Sequence, residues 1–198
     1  MRQWFLFLLV VCCACGSPNG KTDKTVIGPT VADPIPARTP ALEKPPTAVT
    51  GAFTPNRAPF YAYIKNIDTS TSSTIIGFED EVYPQISVPK TVGGSLHILM
   101  LSGYDREVLL LRAHLKDKNF YKYFPFVLKE NRWIALTNGF AVHKSNRPDT
   151  IAHILKNNPE VPDEVIRYYS VFDLDATSET GFTWRLLSES IPINKDQN

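Results

Sequence analysis

Two stretches of this chain carry side chains of the type and spacing that bind ligands. Tyr121, Tyr123, Phe124, Phe126 and Trp133 form a dense aromatic group. On an extended strand, period two sends Tyr121 and Tyr123 to one face and Phe124 and Phe126 to the other. One face belongs in a core. The other, carrying Tyr121 and Tyr123 with Trp133 nearby, suits a stacking platform for a sugar or a groove for a peptide if it is open to solvent. The second stretch is Asp173-Leu174-Asp175-Ala176-Thr177-Ser178-Glu179, where oxygen-bearing side chains recur at alternate positions. Asp173, Asp175, Thr177 and Glu179 can turn inward together, as a hard cation such as Ca2+ requires of its six to eight oxygen ligands. A solvated hairpin loop between Phe172 and Phe182 is the structural alternative.

The acidic loop resembles the opening of a Ca2+-binding D-x-D-x-[DN]-G segment. It departs from it at Thr177, at Ser178 where the turn glycine belongs, and in lacking the terminal bidentate acid. The resemblance implies Ca2+ as the one cofactor to consider. The histidines His97, His114, His143 and His153 are isolated in sequence, without metal-ligand spacing. His114 and His143 are the pair a sheet can bring together. No G-x-S-x-G, P-loop or G-x-G-x-x-G pattern occurs, so hydrolase chemistry would have to be assembled from distant residues. Lys and Arg number 21 against 20 Asp and Glu. This balance, with no basic stripe, argues against a nucleic-acid partner.

The elements that must position these residues read as strands. Apolar runs at 97–101, 108–115, 121–128, 132–137 and 140–144, separated by short polar turns, predict an antiparallel meander. Asn138-Gly139 is the strongest turn signal, because a type I′ turn needs positive φ at both central residues. Ahead of the meander, strands are predicted at 60–67, 74–78 and 82–88, the last on an edge because of Pro84. After it, Arg147-Pro148-Asp149-Thr150, with Asp149 as N-cap, predicts one short helix through Ile151, Ile154 and Leu155. Strands at 165–174, 183–187 and 191–193 follow, with a helix from Asp163 as the competing reading of the first. The expected fold is a mainly β, sandwich-like antiparallel domain over 60–193 with one short helix and a tail at 194–198.

The N-terminus has a different character. Arg2 precedes an apolar run from Trp4 to Val11, too short to span a bilayer, and small residues follow. That is the layout of a signal peptide. All three cysteines, Cys12, Cys13 and Cys15, lie here, so the body holds no disulfide, thiolate metal cluster or cysteine nucleophile. The segment Val11-Cys12-Cys13-Ala14-Cys15-Gly16-Ser17 resembles the lipobox of bacterial lipoprotein signal peptides. Ala14 before Cys15 and the small residues after it match, whereas Cys12 and Cys13 depart from the usual pattern, which leaves Cys13, and after it Cys12, as alternative lipidation sites. The resemblance implies cleavage after residue 14, diacylglycerol and an acyl chain (palmitate or similar) on Cys15, and attachment to a membrane of the bacterial cell envelope, with the domain outside the cytoplasm. Several acyl chains at about 0.8 kcal/mol per buried CH2 make such an anchor stable. Residues 15–59 hold more than half of the chain's 16 prolines and no lasting hydrophobic period, and read as a disordered tether. The function expected is a non-enzymatic binding or assembly module recognising an envelope protein or glycan; the alternative is an envelope hydrolase.

Overall fold

In the computed structural model the chain divides into two units, 1–41 and 42–198. The structure describes residues 43–79 and 81–193, all within the second unit. The signal-peptide and Cys15 readings, and the tail at 194–198, lie outside the described residues.

The described body is mainly β, as expected, built from three antiparallel sheets. The first has the order β1 (Val49–Gly51), β2 (Phe60–Asp68), β3 (Ser73–Phe78), β4 (Ile86–Pro89). The second runs β5 (Gly94–Leu99), β6 (Val108–His114), β7 (Phe120–Lys129), β8 (Arg132–Ala135), with β9 (Phe140–His143) also on β7. The third is β10 (Leu155–Asn157), β11 (Glu164–Leu174), β12 (Phe182–Pro192).

The second sheet is the middle layer, and alternation explains why. On β6, Leu109, Leu111 and Ala113 enter a core shared with the first sheet, together with Phe126 and Leu128 of β7. Val108 and Leu110, with Tyr123 and Val127 of β7, enter a second core shared with Leu155 and Val165 of the third sheet. A sheet covered on both faces reads as unbroken apolar runs, which is why 108–111 and 124–128 look as they do.

The folded body begins before residue 60, within the stretch expected to be tether. Val49, Gly51 and Phe53 alternate inward, β1 pairs with β2 from Val49↔Ala62 to Gly51↔Phe60, and Phe53 is fully buried. Its ring meets Phe60 and Trp133 edge-on, at 5.0 and 5.4 Å between centroids. The prolines at 45, 46 and 55 bracket this strand rather than exclude it.

Asn138-Gly139 does not form the I′ turn, since neither residue has positive φ. The I′ geometry sits at Glu130 (φ 46°) and Asn131 (φ 59°), closing the Lys129↔Arg132 hairpin. β8 and β9 are two collinear pieces of one edge strand on β7. The register slips by two residues between Phe126↔Ala135 and Tyr123↔Phe140. Pro125 explains the break. Its carbonyl faces this edge and accepts from the Leu136 N–H at 2.9 Å, but it has no N–H to give back, so the partner strand bulges. Gly139 lies in the bulge against Phe124, where a Cβ would come within 2.4 Å of the ring.

The helix expected after Arg147 is present only as 3-10 turns, Lys144–Asn146 and Pro148–Thr150. Arg147, at φ 45°, is the N-cap of the second, and Asp149 lies within its first turn. Leu155 starts β10 instead of closing a helix, because pairing with Arg167 buries it. β4 is an edge strand as expected, though Pro84 falls before it, and the two pieces expected at 183–187 and 191–193 are one continuous β12.

Candidate functional site

The Tyr121/Tyr123 face is where period two puts it, but the third sheet covers it. Tyr123 is buried and stacked on Phe140 at 5.6 Å, and burial pushes its phenol up to about 12. Tyr121 packs at the edge of the same core, with the Arg112 guanidinium 3.9 Å from its ring centre. Trp133 lies on the opposite face, stacked on Phe78 at 4.6 Å. The three residues do not form a common surface, and the open platform expected from the sequence is not there. Arg112 is held by Asp149 at 2.6 Å, so the acid expected as a helix cap fixes a cation over Tyr121.

Tyr121 and His114 line a cleft of about 270 Å³ with Val92, Leu115, Lys118, Phe120 and Lys144. The ionisable side chains around it are His114, Tyr121 and two lysines, with no carboxylate in its wall. His143 lies elsewhere, its ring stacked on Trp184 at 5.1 Å, and burial lowers its pKa. The structure therefore does not bring His114 and His143 together with an acid.

In the acidic loop, the carboxylate of Asp175 accepts from the Thr177 N–H at 3.0 Å and lies 2.6 Å from its hydroxyl. These bonds, the Thr177 hydroxyl first, hold its pKa below the usual carboxylate range. Asp173 is on β11, paired with Arg185 of β12 at 3.2 Å. Glu179 is exposed in the loop. Among the described residues no three His, Cys, Asp or Glu side chains converge as a metal centre would require. The loop is built as a hairpin turn: the Asp175 N–H bonds the Gly181 carbonyl at 3.0 Å, and Gly181 takes φ 76°.

What the hairpin does present is an aromatic surface. β11 and β12 pair over their whole length, from Glu164↔Pro192 to Leu174↔Phe182. β10 covers only the Val165–Arg167 end of β11. On the far half, even-numbered residues share a face, and they are apolar: Phe172 and Leu174 on β11, Phe182 and Trp184 on β12. Phe172 stacks on Phe182 at 5.2 Å and meets Trp184 edge-on at 5.7 Å. Trp184 roots the group in the body through Phe120 at 4.8 Å and His143. The outer members stay in solvent, with Phe172 55%, Leu174 80% and Phe182 39% exposed. The Ser170 hydroxyl helps fix the hairpin, accepting from the His143 N–H at 2.8 Å. The signal was legible: apolar residues at alternate positions on both sides of a polar turn continue past the length that the sheet needs.

No helix among the described residues is long and apolar enough to cross a membrane. No protein-family model matches the chain, and no curated protein and no solved structure matches it.

Proposed function

We propose that this chain is an exported lipoprotein, anchored through Cys15 to a membrane of a bacterial cell envelope, whose β body is a non-enzymatic binding or assembly module for a protein or glycan partner. The anchor rests on the lipobox-like residues 11–17 and on the proline-rich stretch that follows them. The binding role rests on one observation, the solvent-facing aromatic group at the end of the β11–β12 hairpin. Phe172, Leu174 and Phe182 are large apolar side chains held side by side in water. Contiguous apolar surface of this sort marks contact sites. Aromatic rings on a rigid hairpin also provide contact area at little entropic cost, and stack equally on a sugar face or a peptide.

A photo-crosslinking side chain at Leu174 tests the binding role in intact envelopes. A single defined adduct, of protein or glycan, that disappears with Phe172→Ser supports it. An adduct-free or random pattern refutes it. For the anchor, Cys15→Ala should move the protein from the membrane fraction to the soluble one. If it stays with the membrane, the lipid anchor fails.

A further inference from the structure

β12 is an edge strand, since the order of its sheet is β10-β11-β12. Two bonds fix the phase of its backbone. At one end the Ile193 N–H bonds the Asp163 carbonyl, directly opposite, at 2.7 Å; at the other the Asp175 N–H bonds the Gly181 carbonyl. In an antiparallel ladder, residue pairs that exchange bonds alternate with pairs that do not. Odd residues of β12 therefore bond to β11, and even residues turn their N–H and C=O outward. Trp184, Leu186, Ser188 and Ser190 present that free edge, and among the described residues no strand pairs with it. Pro192, which has no N–H, ends it.

A free edge this long is a template for another strand. The charges on β12 say which one fits. Arg185 and Glu189 share the odd face, each held by its own chain: Arg185 by Asp173 at 3.2 Å, Glu189 by Arg167 at 2.7 Å. A second β12 lying antiparallel can dock in phase only by pairing even residues with even residues. With the two-fold axis at Arg185 or at Glu189, like charges oppose each other. With the axis at Leu186 or Ser188, both charges face uncharged residues. With the axis at Leu187, Arg185 of each copy faces Glu189 of the other, in the non-hydrogen-bonded positions where side chains approach most closely. Trp184 then exchanges both bonds with Ser190, and Leu186 with Ser188, on both sides of the axis. The two half-buried Leu187 side chains meet at its centre. The charges form one alternating row across four strands: Arg167, Glu189, then Arg185 and Asp173 of the second copy.

We propose that the chain forms a two-fold homodimer through antiparallel β12–β12 pairing centred on Leu187, which joins the third sheets of two copies into one six-stranded sheet. This does not depend on the aromatic end of the hairpin having a partner.

Sedimentation velocity on the full chain tests it. The wild-type chain is expected to be a dimer. Ser188→Pro removes an outward N–H and no bond within the chain, a position where edge strands accept proline; it should give a monomer with unchanged circular dichroism and Tm. Arg185→Glu and Glu189→Arg alone each place like charges opposite one another twice, and should weaken the dimer ~10-fold or more. Mixed in equal amounts, the two variants restore every opposite pair, and dimer should return. A monomeric wild-type chain, a dimer that survives Ser188→Pro, or a mixture that fails to recover overturns the proposal. So does a monomer whose Leu186 and Ser188 amides exchange slowly, which would assign the edge to another segment of the same chain. Should either charge variant fail to fold, Ser188→Pro alone decides.

Discussion

Phe53→Ala is the substitution that most directly tests where the folded body begins. Composition places Phe53 in a proline-rich tether, where truncation to alanine should cost nothing. The structure places it at the centre of the core between the first and second sheets, fully buried, with edge-on contacts to Phe60 and Trp133. Removing a ring from such a site forfeits its transfer free energy and leaves a cavity, about 3–5 kcal/mol for Phe→Ala. The two aromatic contacts account for ~0.5–1.5 kcal/mol each of that total. In urea, with a slope of about 2 kcal/mol/M, the midpoint should fall by roughly 1.5–2.5 M while the slope stays the same. A cycle with Trp133→Leu should show a coupling of ~0.5–1.5 kcal/mol between the two positions. A loss below ~0.5 kcal/mol, the range of surface substitutions, would refute the burial of Phe53 and return residues 43–59 to the tether. A chain shortened to begin at Phe60 with undiminished stability would do the same.

Other outcomes follow from single contacts. Thr74 and Thr91 are buried with their hydroxyls 2.7 Å apart, and the Thr74 oxygen also accepts from the Gly93 N–H at 2.9 Å. Thr74→Val leaves that amide without a partner and should cost ~1–3 kcal/mol in a urea titration. Gly139→Ala pushes a methyl to within 2.4 Å of the Phe124 ring, and overpacking of this kind should cost ~1–3 kcal/mol by the same assay. The Asp68 carboxylate is held down to a pKa of about 2, chiefly by the hydroxyls of Ser70 and Thr71 and the backbone N–H of Thr71. Its folded pKa lies below the unfolded value, so its contribution is present above the ordinary carboxylate pKa and is lost as pH falls toward 2. Carbon-detected titration should show this midpoint, and Ser70→Ala with Thr71→Ala should move it up.

The fold class was legible because its cause is local. Short apolar or alternating runs bounded by polar turns identify strands whatever they later pack against, and β6, β7 and β11 follow that rule. Three features were not legible, each for a physical reason. β1 is three residues long and gains its stability from pairing with β2 and from the burial of Phe53, so tertiary contact overrides the composition of its surroundings. The break between β8 and β9 originates in Pro125 on the neighbouring strand, and turn chemistry read along the chain has no access to it. Asn138-Gly139 carries the residues of a I′ turn but sits in a bulge, while Glu130-Asn131 closes the true hairpin with a glutamate at φ 46°. The candidate site was misplaced for a related reason. Period two correctly put Tyr121 and Tyr123 on one face, but whether a face is open depends on which sheet lies over it. That is a long-range fact, and the third sheet supplies the answer.

The same long-range reasoning explains why the exposed chemistry collects on the last hairpin. The first and second sheets share one core, and the second and third share another, so the middle layer has no free face. The first and third sheets are each covered on one side and end in edges, and in the third a long hairpin carries the exposed face. β10 spans only the Val165–Arg167 end of β11, yet both hairpin strands continue to Leu174 and Phe182. Stability of the second core does not require that extension, because its buried members from this sheet, Leu155 and Val165, lie at the near end. An extension that carries Phe172, Leu174 and Phe182 into water departs from the pattern kept elsewhere in the body, and departures of this kind concentrate where a surface meets something else. The outward edge of Trp184 to Ser190 belongs to the same hairpin but turns in a different direction. The aromatic end and the β12 edge can therefore be occupied at once, and losing the dimer with Ser188→Pro should leave crosslinking from Leu174 intact.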